Sequence, residues 1–134
     1  MNSKQKGDIC LSQAIAYYVY TGCEVLLPLG DRRPYDLVIE TPDSKLSKVQ
    51  CKYTSSKNRY GRYIVDLRVT GGNQSFTTSK FYEKGDFDIL FVCTDKMCLY
   101  SIPSLAIESN AGIVLGEKYE TFKHRTPDDP IAKL

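Results

Sequence analysis

A carboxylate, a carboxamide and an amine stand in two short β-prone runs: Asp36 in residues 35–41, and Gln50 and Lys52 in residues 45–53. Between the runs lies the turn signal Pro42-Asp43-Ser44, so a hairpin is the most economical arrangement. With the turn centred near Asp43, Asp36 lies across from Gln50. Side chains alternate with period two, which puts Gln50 and Lys52 on one face and Val49 and Cys51 on the other. Asp36, Gln50 and Lys52 then converge. Asp36 offers an oxygen ligand suited to Mg²⁺. A lysine in such surroundings acts as a point charge or as an acid/base with a shifted pKa, and the sequence leaves both roles open.

The charge distribution points the same way. Lys45, Lys48, Lys52, Lys57, Arg59, Arg62 and Arg68 face a single acid, Asp66, in residues 45–68, although the whole chain carries only +2. Tyr53, Tyr60 and Tyr63 are interleaved, a make-up that attracts a phosphate backbone but also suits a solvated face or a protected sheet edge. The five cysteines lack a CxxC pair and His124 is the only histidine, so neither a zinc site nor a Cys–His nucleophile has a spacing signature. The cysteines read as small core residues.

The elements that must hold these groups are legible in outline. Residues 3–21 carry Ile9, Leu11, Ala14, Ile15, Tyr18 and Val19 at helical spacing, with Gly22 as the stop. Residues 23–28 read as a strand and residues 29–34 as a charged loop. After the hairpin, residues 62–70 alternate as a strand broken by Gly71, Gly72 and Asn73, and residues 77–84 read as a short helix ending at Gly85. Residues 87–93 form an apolar run typical of a central strand, 97–102 the return strand, and 103–107 a short helix opened by Pro103. The tail, 108–134, shows no clear period.

At 134 residues, 42% hydrophobic and 25% charged, the chain reads as one domain with a core over about 1–107, large enough to need neither disulfides nor a structural metal. Disorder and fibrous repeats are excluded. The longest uncharged apolar stretch, 9–23, is interrupted by Ser12, Gln13, Thr21 and tyrosines, so no membrane span is expected. Residues 1–8 are polar without the apolar region of a secretory signal, so a cytoplasmic address is expected.

Pro34-Tyr35-Asp36-Leu37-Val38-Ile39 followed by Val49-Gln50-Cys51-Lys52, in this order of elements, resembles the PD-(D/E)XK nuclease superfamily. Lys6-Gly7-Asp8-Ile9 and Leu26-Leu27-Pro28-Leu29-Gly30-Asp31 look more narrowly like its branch of small homing endonucleases of bacterial group I introns, in which glutamine is accepted at the second acidic position. The resemblance implies an α/β, restriction-endonuclease-like core with a mixed central β-sheet flanked by helices. It implies hydrolysis of phosphodiester bonds in double-stranded DNA, with Mg²⁺ held by Asp36, the Gln50 amide oxygen and the Cys51 backbone carbonyl, and with Lys52 beside it. Many members carry a glutamate on the first helix, where this chain has Leu11 or Ser12. Asp8, the acid nearby, is either a member of the site or an ordinary first-turn carboxylate facing the helix dipole. Arg32, Arg33, Lys57, Arg59, Arg62 and Arg68 are the candidate DNA contacts. Cutting both strands implies a homodimer or homotetramer. A junction resolvase, a restriction enzyme and a DNA-binding module on a decayed nuclease scaffold are the alternatives.

Overall fold

The computed structural model describes residues 1–70, 79–80, 82–83 and 85–125. Helix α1, Ser3–Tyr20, opens with a reciprocal cap: the Gln5 N–H donates to Asn2 Oδ1 at 2.9 Å and the Asn2 N–H to Gln5 Oε1 at 3.0 Å. It closes at Gly22, at φ 94°, whose N–H donates to the Val19 carbonyl while the Cys23 N–H reaches back to Tyr18, a left-handed stop that favours glycine.

Six strands form the central sheet: β1 (Glu24–Leu26), β2 (Leu37–Glu40), β3 (Leu46–Thr54), β7 (Ile89–Thr94), β8 (Leu99–Pro103) and β10 (Lys123–Arg125), in that spatial order. The β3–β7 pair is parallel and the others antiparallel, so the sheet is mixed. Chain 55–88 makes the crossover between β3 and β7, and it contains β4 (Ile64–Asp66), β5 (Val69–Thr70) and β6 (Ser79–Lys80). Strand β4 pairs with β9 (Gly112–Val114), and β5 with β6, as separate two-stranded ribbons.

Each face of the sheet has its own core. Cys10, Ala14 and Tyr18 of α1 pack on Leu37, Ile39, Val49, Phe91, Cys93 and Leu99. Across the sheet, Leu90, Val92, Tyr100 and Ile102 meet Val65 and Ile113 of the β4–β9 ribbon, with Leu67, Tyr82, Phe87 and Tyr119. The alternation along β7 explains this division: Phe91 and Cys93 go to the helix side, Leu90 and Val92 to the other. One polar contact also ties α1 to the sheet, Tyr18 Oη to Ser101 Oγ at 2.8 Å.

Some expectations need correction. The strand over residues 62–70 is two strands in two ribbons, because the Arg68 N–H bonds Asp66 Oδ1 at 2.9 Å and turns the backbone between them. The helix over residues 77–84 is not formed where it is described, since Ser79–Lys80 is strand β6; residues 77, 78, 81 and 84, like the break at 71–73, lie outside the described residues. The short helix at 103–107 is a 3₁₀ turn, Ser104–Ala106. The tail contributes regular structure: β9 completes the ribbon, a 3₁₀ turn spans Glu117–Phe122, and β10 adds an edge strand beside β8. Among the described residues no helix is long and apolar enough to cross a membrane.

Candidate active site

The hairpin register is the expected one. Leu37 pairs with Val49, which sets Asp36 opposite Gln50 just beyond the start of β2. Because Leu37, Ile39, Val49 and Cys51 turn toward α1, alternation sends Asp36, Gln50 and Lys52 to the opposite face. Strand β3 is held firmly there. Its Lys48 N–H bonds Asp88 Oδ2 at 2.8 Å, and the Asp88 N–H returns to the Lys48 carbonyl at 2.9 Å, which fixes the register against β7.

Strand β2 begins at Leu37, so at Cys51 the next backbone partner on that side of β3 is missing. The Asp36 carboxylate takes its place: the Cys51 N–H donates to Asp36 Oδ2 at 2.8 Å. Gln50 Nε2 makes a long bond of 3.4 Å to the Cys51 carbonyl. A carboxylate, a weakly engaged backbone carbonyl and a carboxamide therefore gather around one residue, Cys51. The amide can turn over to present oxygen instead of nitrogen, because the two ends are of equal size. These are hard oxygen donors, and they fit Mg²⁺ better than a thiolate-seeking metal.

The electrostatics follow from half-burial. Loss of hydration raises the Asp36 pKa, which the Cys51 N–H and the Lys52 ammonium oppose and the Asp31 charge reinforces. Burial lowers the Lys52 pKa, with Asp36 and Asp66 pulling it back up. The Cys51 thiol is pushed well above its ordinary value by its hydrogen bond with Cys10 and by burial. It is a neutral group on the helix side, and only the peptide of Cys51 faces the site.

Two residues not singled out for this cluster arrive from the crossover. Asp66, at the end of β4, acts electrostatically on Lys52 and is itself held ionised by Arg68, whose guanidinium grips it through Nε at 3.1 Å and Nη2 at 3.0 Å. The Tyr82 ring lies 5.9 Å from Lys52 Nζ. Nothing in the spacing of residues 45–53 points to either; only the return of the chain across the sheet brings them in.

Asp8 is not brought to this cluster. It is exposed on α1, which covers the other face of the sheet, and it stands two residues from the buried Cys10, about 200° around the helix. Nor is it in the first turn, since the helix begins at Ser3. Leu11 is half-buried against the helix-side core and Ser12 is exposed, so neither position substitutes for an acid. Among the described residues no three His, Cys, Asp or Glu side chains are grouped to hold a metal; the carboxylate bonded at Cys51 is Asp36.

Arg68 lines an open groove of about 910 Å³ with Ser3 and Lys6 of α1, Lys52, Asp66 and the β9 strand. Beside it, residues 57–63 form a tight hairpin closed by the Lys57–Tyr63 bridge and by the Asn58 N–H to Arg62 carbonyl bond of 2.9 Å. Lys57 lies 4.8 Å over the Tyr63 ring and Arg59 4.9 Å over Tyr60, whose side chain is exposed. The exposed Arg62 rests over Gly116. Arg32 and Arg33 are exposed in the loop before Asp36, where they line a separate cleft with Pro28 and Tyr35. Arg68, bound to Asp66, is the least available of the set.

Comparison with known proteins agrees with this geometry. No curated protein matches the chain at a significant level. The solved structure of a bacterial homing endonuclease, I-Ssp6803I, superposes with a TM-score of 0.73 at 33% identity, over 96% of this chain and 86% of that one. The family model described as PD-(D/E)XK endonuclease matches residues 1–126. With the Asp strand, the QxK strand and the mixed sheet all in their expected order, this chain belongs to the PD-(D/E)XK endonuclease family and has the fold of a nuclease.

Proposed function

We propose that the protein is a Mg²⁺-dependent, site-specific endonuclease of double-stranded DNA, of the homing type. The observation that carries the reading is the Asp36 carboxylate bonded to the Cys51 peptide, with Gln50 and Lys52 on the same face. Asp36, the Cys51 carbonyl and the Gln50 amide oxygen would hold the cation. When bound, Mg²⁺ would polarise a phosphate oxygen and favour ionisation of a water. Lys52 supplies positive charge toward the phosphate, in a half-buried setting where a charge acts more strongly than in water. The hairpin residues Lys57, Arg59 and Arg62, with Arg32 and Arg33, suit contacts to the DNA backbone and bases, since they are exposed and, among the described residues, the salt bridges engage other cations.

One such site per chain cuts one strand. A double-strand break therefore calls for two or four copies related by symmetry across the target. The comparison structure, a homing endonuclease, supports that choice over a junction resolvase or a restriction enzyme of the same fold. A second reading, a DNA-binding module without cleavage, draws on Asp36 being the cluster's carboxylate without help from α1.

The test is cleavage of a supercoiled plasmid library and of a four-way junction, with and without Mg²⁺, by wild type, Asp36→Ala and Lys52→Ala, each checked for folding. Metal-dependent cutting at one or a few plasmid sites, abolished in both variants, is the expected result. Selective junction cutting would point to resolution. Binding without cutting under every condition would leave the binding module.

A further inference from the structure

Helix α1 turns one stripe, Cys10, Ala14 and Tyr18, into the core against the sheet. Lys6 stands four residues before Cys10, about 40° around the helix, so it lies on the same stripe one turn nearer the start. There the stripe leaves the apolar core. Lys6 is half-buried, its ammonium is 5.8 Å from the centre of the Tyr53 ring, and with Ser3 it forms the α1 wall of the open groove that Lys52 also lines. Among the described residues the salt bridges engage Arg68, Lys118 and Lys123, and Lys6 enters none of them. Lys4, about 200° from Lys6 around α1, is exposed and does not line the groove.

We propose that Lys6 is a further substrate-binding residue, a phosphate anchor on the α1 side of the groove for the DNA strand whose scissile phosphate lies at Lys52. The proposal rests on the nuclease reading above and assigns a second wall of the same groove. The charged lining is Lys6, Lys52 and Arg68 against Asp66, so an anion that enters meets net positive charge. Arg68 is bound to Asp66, which leaves the two lysines as the cations open to an incoming phosphate. Two ammonium groups supplied by different elements along one groove suit a backbone, whose charges repeat along the strand, better than a single small anion. An ammonium is a point charge without a preferred base edge. Lys6 therefore contributes to affinity and to the path of the strand, and not to the choice of sequence.

The test compares the full chain with Lys6→Gln, Lys6→Arg and Lys4→Gln in three measurements: thermal melting, binding of a duplex of about 20 base pairs in chelator across a salt series, and single-turnover plasmid cleavage in Mg²⁺. Lys6→Gln is expected to melt as wild type, to bind the duplex about tenfold more weakly at low salt, and to flatten the log–log salt slope by about 0.9. Its cleavage should slow at low protein concentration and recover at saturation, since an anchor holds bound substrate and transition state alike. Lys6→Arg should keep the wild-type slope, and Lys4→Gln should leave slope and affinity unchanged. An unchanged slope in Lys6→Gln, with or without a lower melting temperature, would make Lys6 a structural residue and overturn the proposal. Equal losses in Lys4→Gln and Lys6→Gln would overturn it too, because they would mean a diffuse charge on α1 and no contact in the groove. If the wild type binds duplex but cuts nothing, while Lys6→Gln alone loses slope, the nuclease reading fails and the anchor stands.

Discussion

Asp36→Asn separates what the site costs the fold from what it gains by binding a cation. The substitution keeps size and shape, and the new amide oxygen can still accept from the Cys51 N–H, now 2.8 Å from Asp36 Oδ2. It removes a half-buried negative charge whose pKa is raised, chiefly by burial, despite the opposing pull of Cys51 and Lys52. A carboxyl whose pKa is higher in the folded chain than in the unfolded one is relatively favourable to folding at low pH. That advantage disappears as the pH rises past the ordinary value of 3.8 and through the raised folded value. At pH 7 in chelator the variant should therefore be more stable, by about 0.5–2 kcal/mol, as when a functional site is relieved of strain. For a chain of this length that is roughly 2–8 °C in melting temperature, and the gap should close as the pH falls toward 4. Mg²⁺ should act in the opposite sense. At ten times its dissociation constant it stabilises wild type by about 1.4 kcal/mol and the variant by much less. The assay is differential scanning fluorimetry of both proteins across a Mg²⁺ series and in chelator. A variant less stable in chelator would refute the balance drawn here, and an equal Mg²⁺ shift in both would remove Asp36 from the ligand set.

The remaining predictions concern the scaffold and the groove. Tyr18→Phe deletes the 2.8 Å bond to Ser101 that joins α1 to β8, and should cost about 1 kcal/mol; a double-mutant cycle with Ser101→Ala that shows no coupling would count against it. Ser44 holds φ 68° in the β2–β3 turn, so Ser44→Gly should stabilise by about 0.5–1 kcal/mol in urea titrations, and an unchanged midpoint would mean the serine carries no strain. Arg62→Ala should leave melting unaltered while reducing the salt dependence of duplex binding by about 0.9 in the log–log slope for each phosphate that Arg62 neutralises. An unchanged slope would take Arg62 off the DNA surface.

Much of this protein is written in short-range patterns. The turn at Pro42-Asp43-Ser44 and the period of two along β3 are enough to bring Asp36, Gln50 and Lys52 to one face, because strand geometry leaves alternating residues no other choice. Gly22 ends α1 and the run 89–94 becomes a buried strand for equally local reasons. Other features depend on which surfaces meet. Residues 62–70 carry the pattern of one strand, but the Arg68 N–H bonds Asp66 and the two halves part: β4 pairs with β9 far along the chain, and β5 with the nearby β6. The period of α1 allows Asp8 to be near or far from the site; the packing of Cys10, Ala14 and Tyr18 on the sheet turns it to solvent. Asp66 and Tyr82 are separated from Lys52 by the crossover, and no local rule announces their arrival. A sequence encodes its local geometry through sterics and periodicity, whereas the neighbours of a half-buried ammonium are chosen by how distant apolar faces bury one another, and that is settled only in the folded chain.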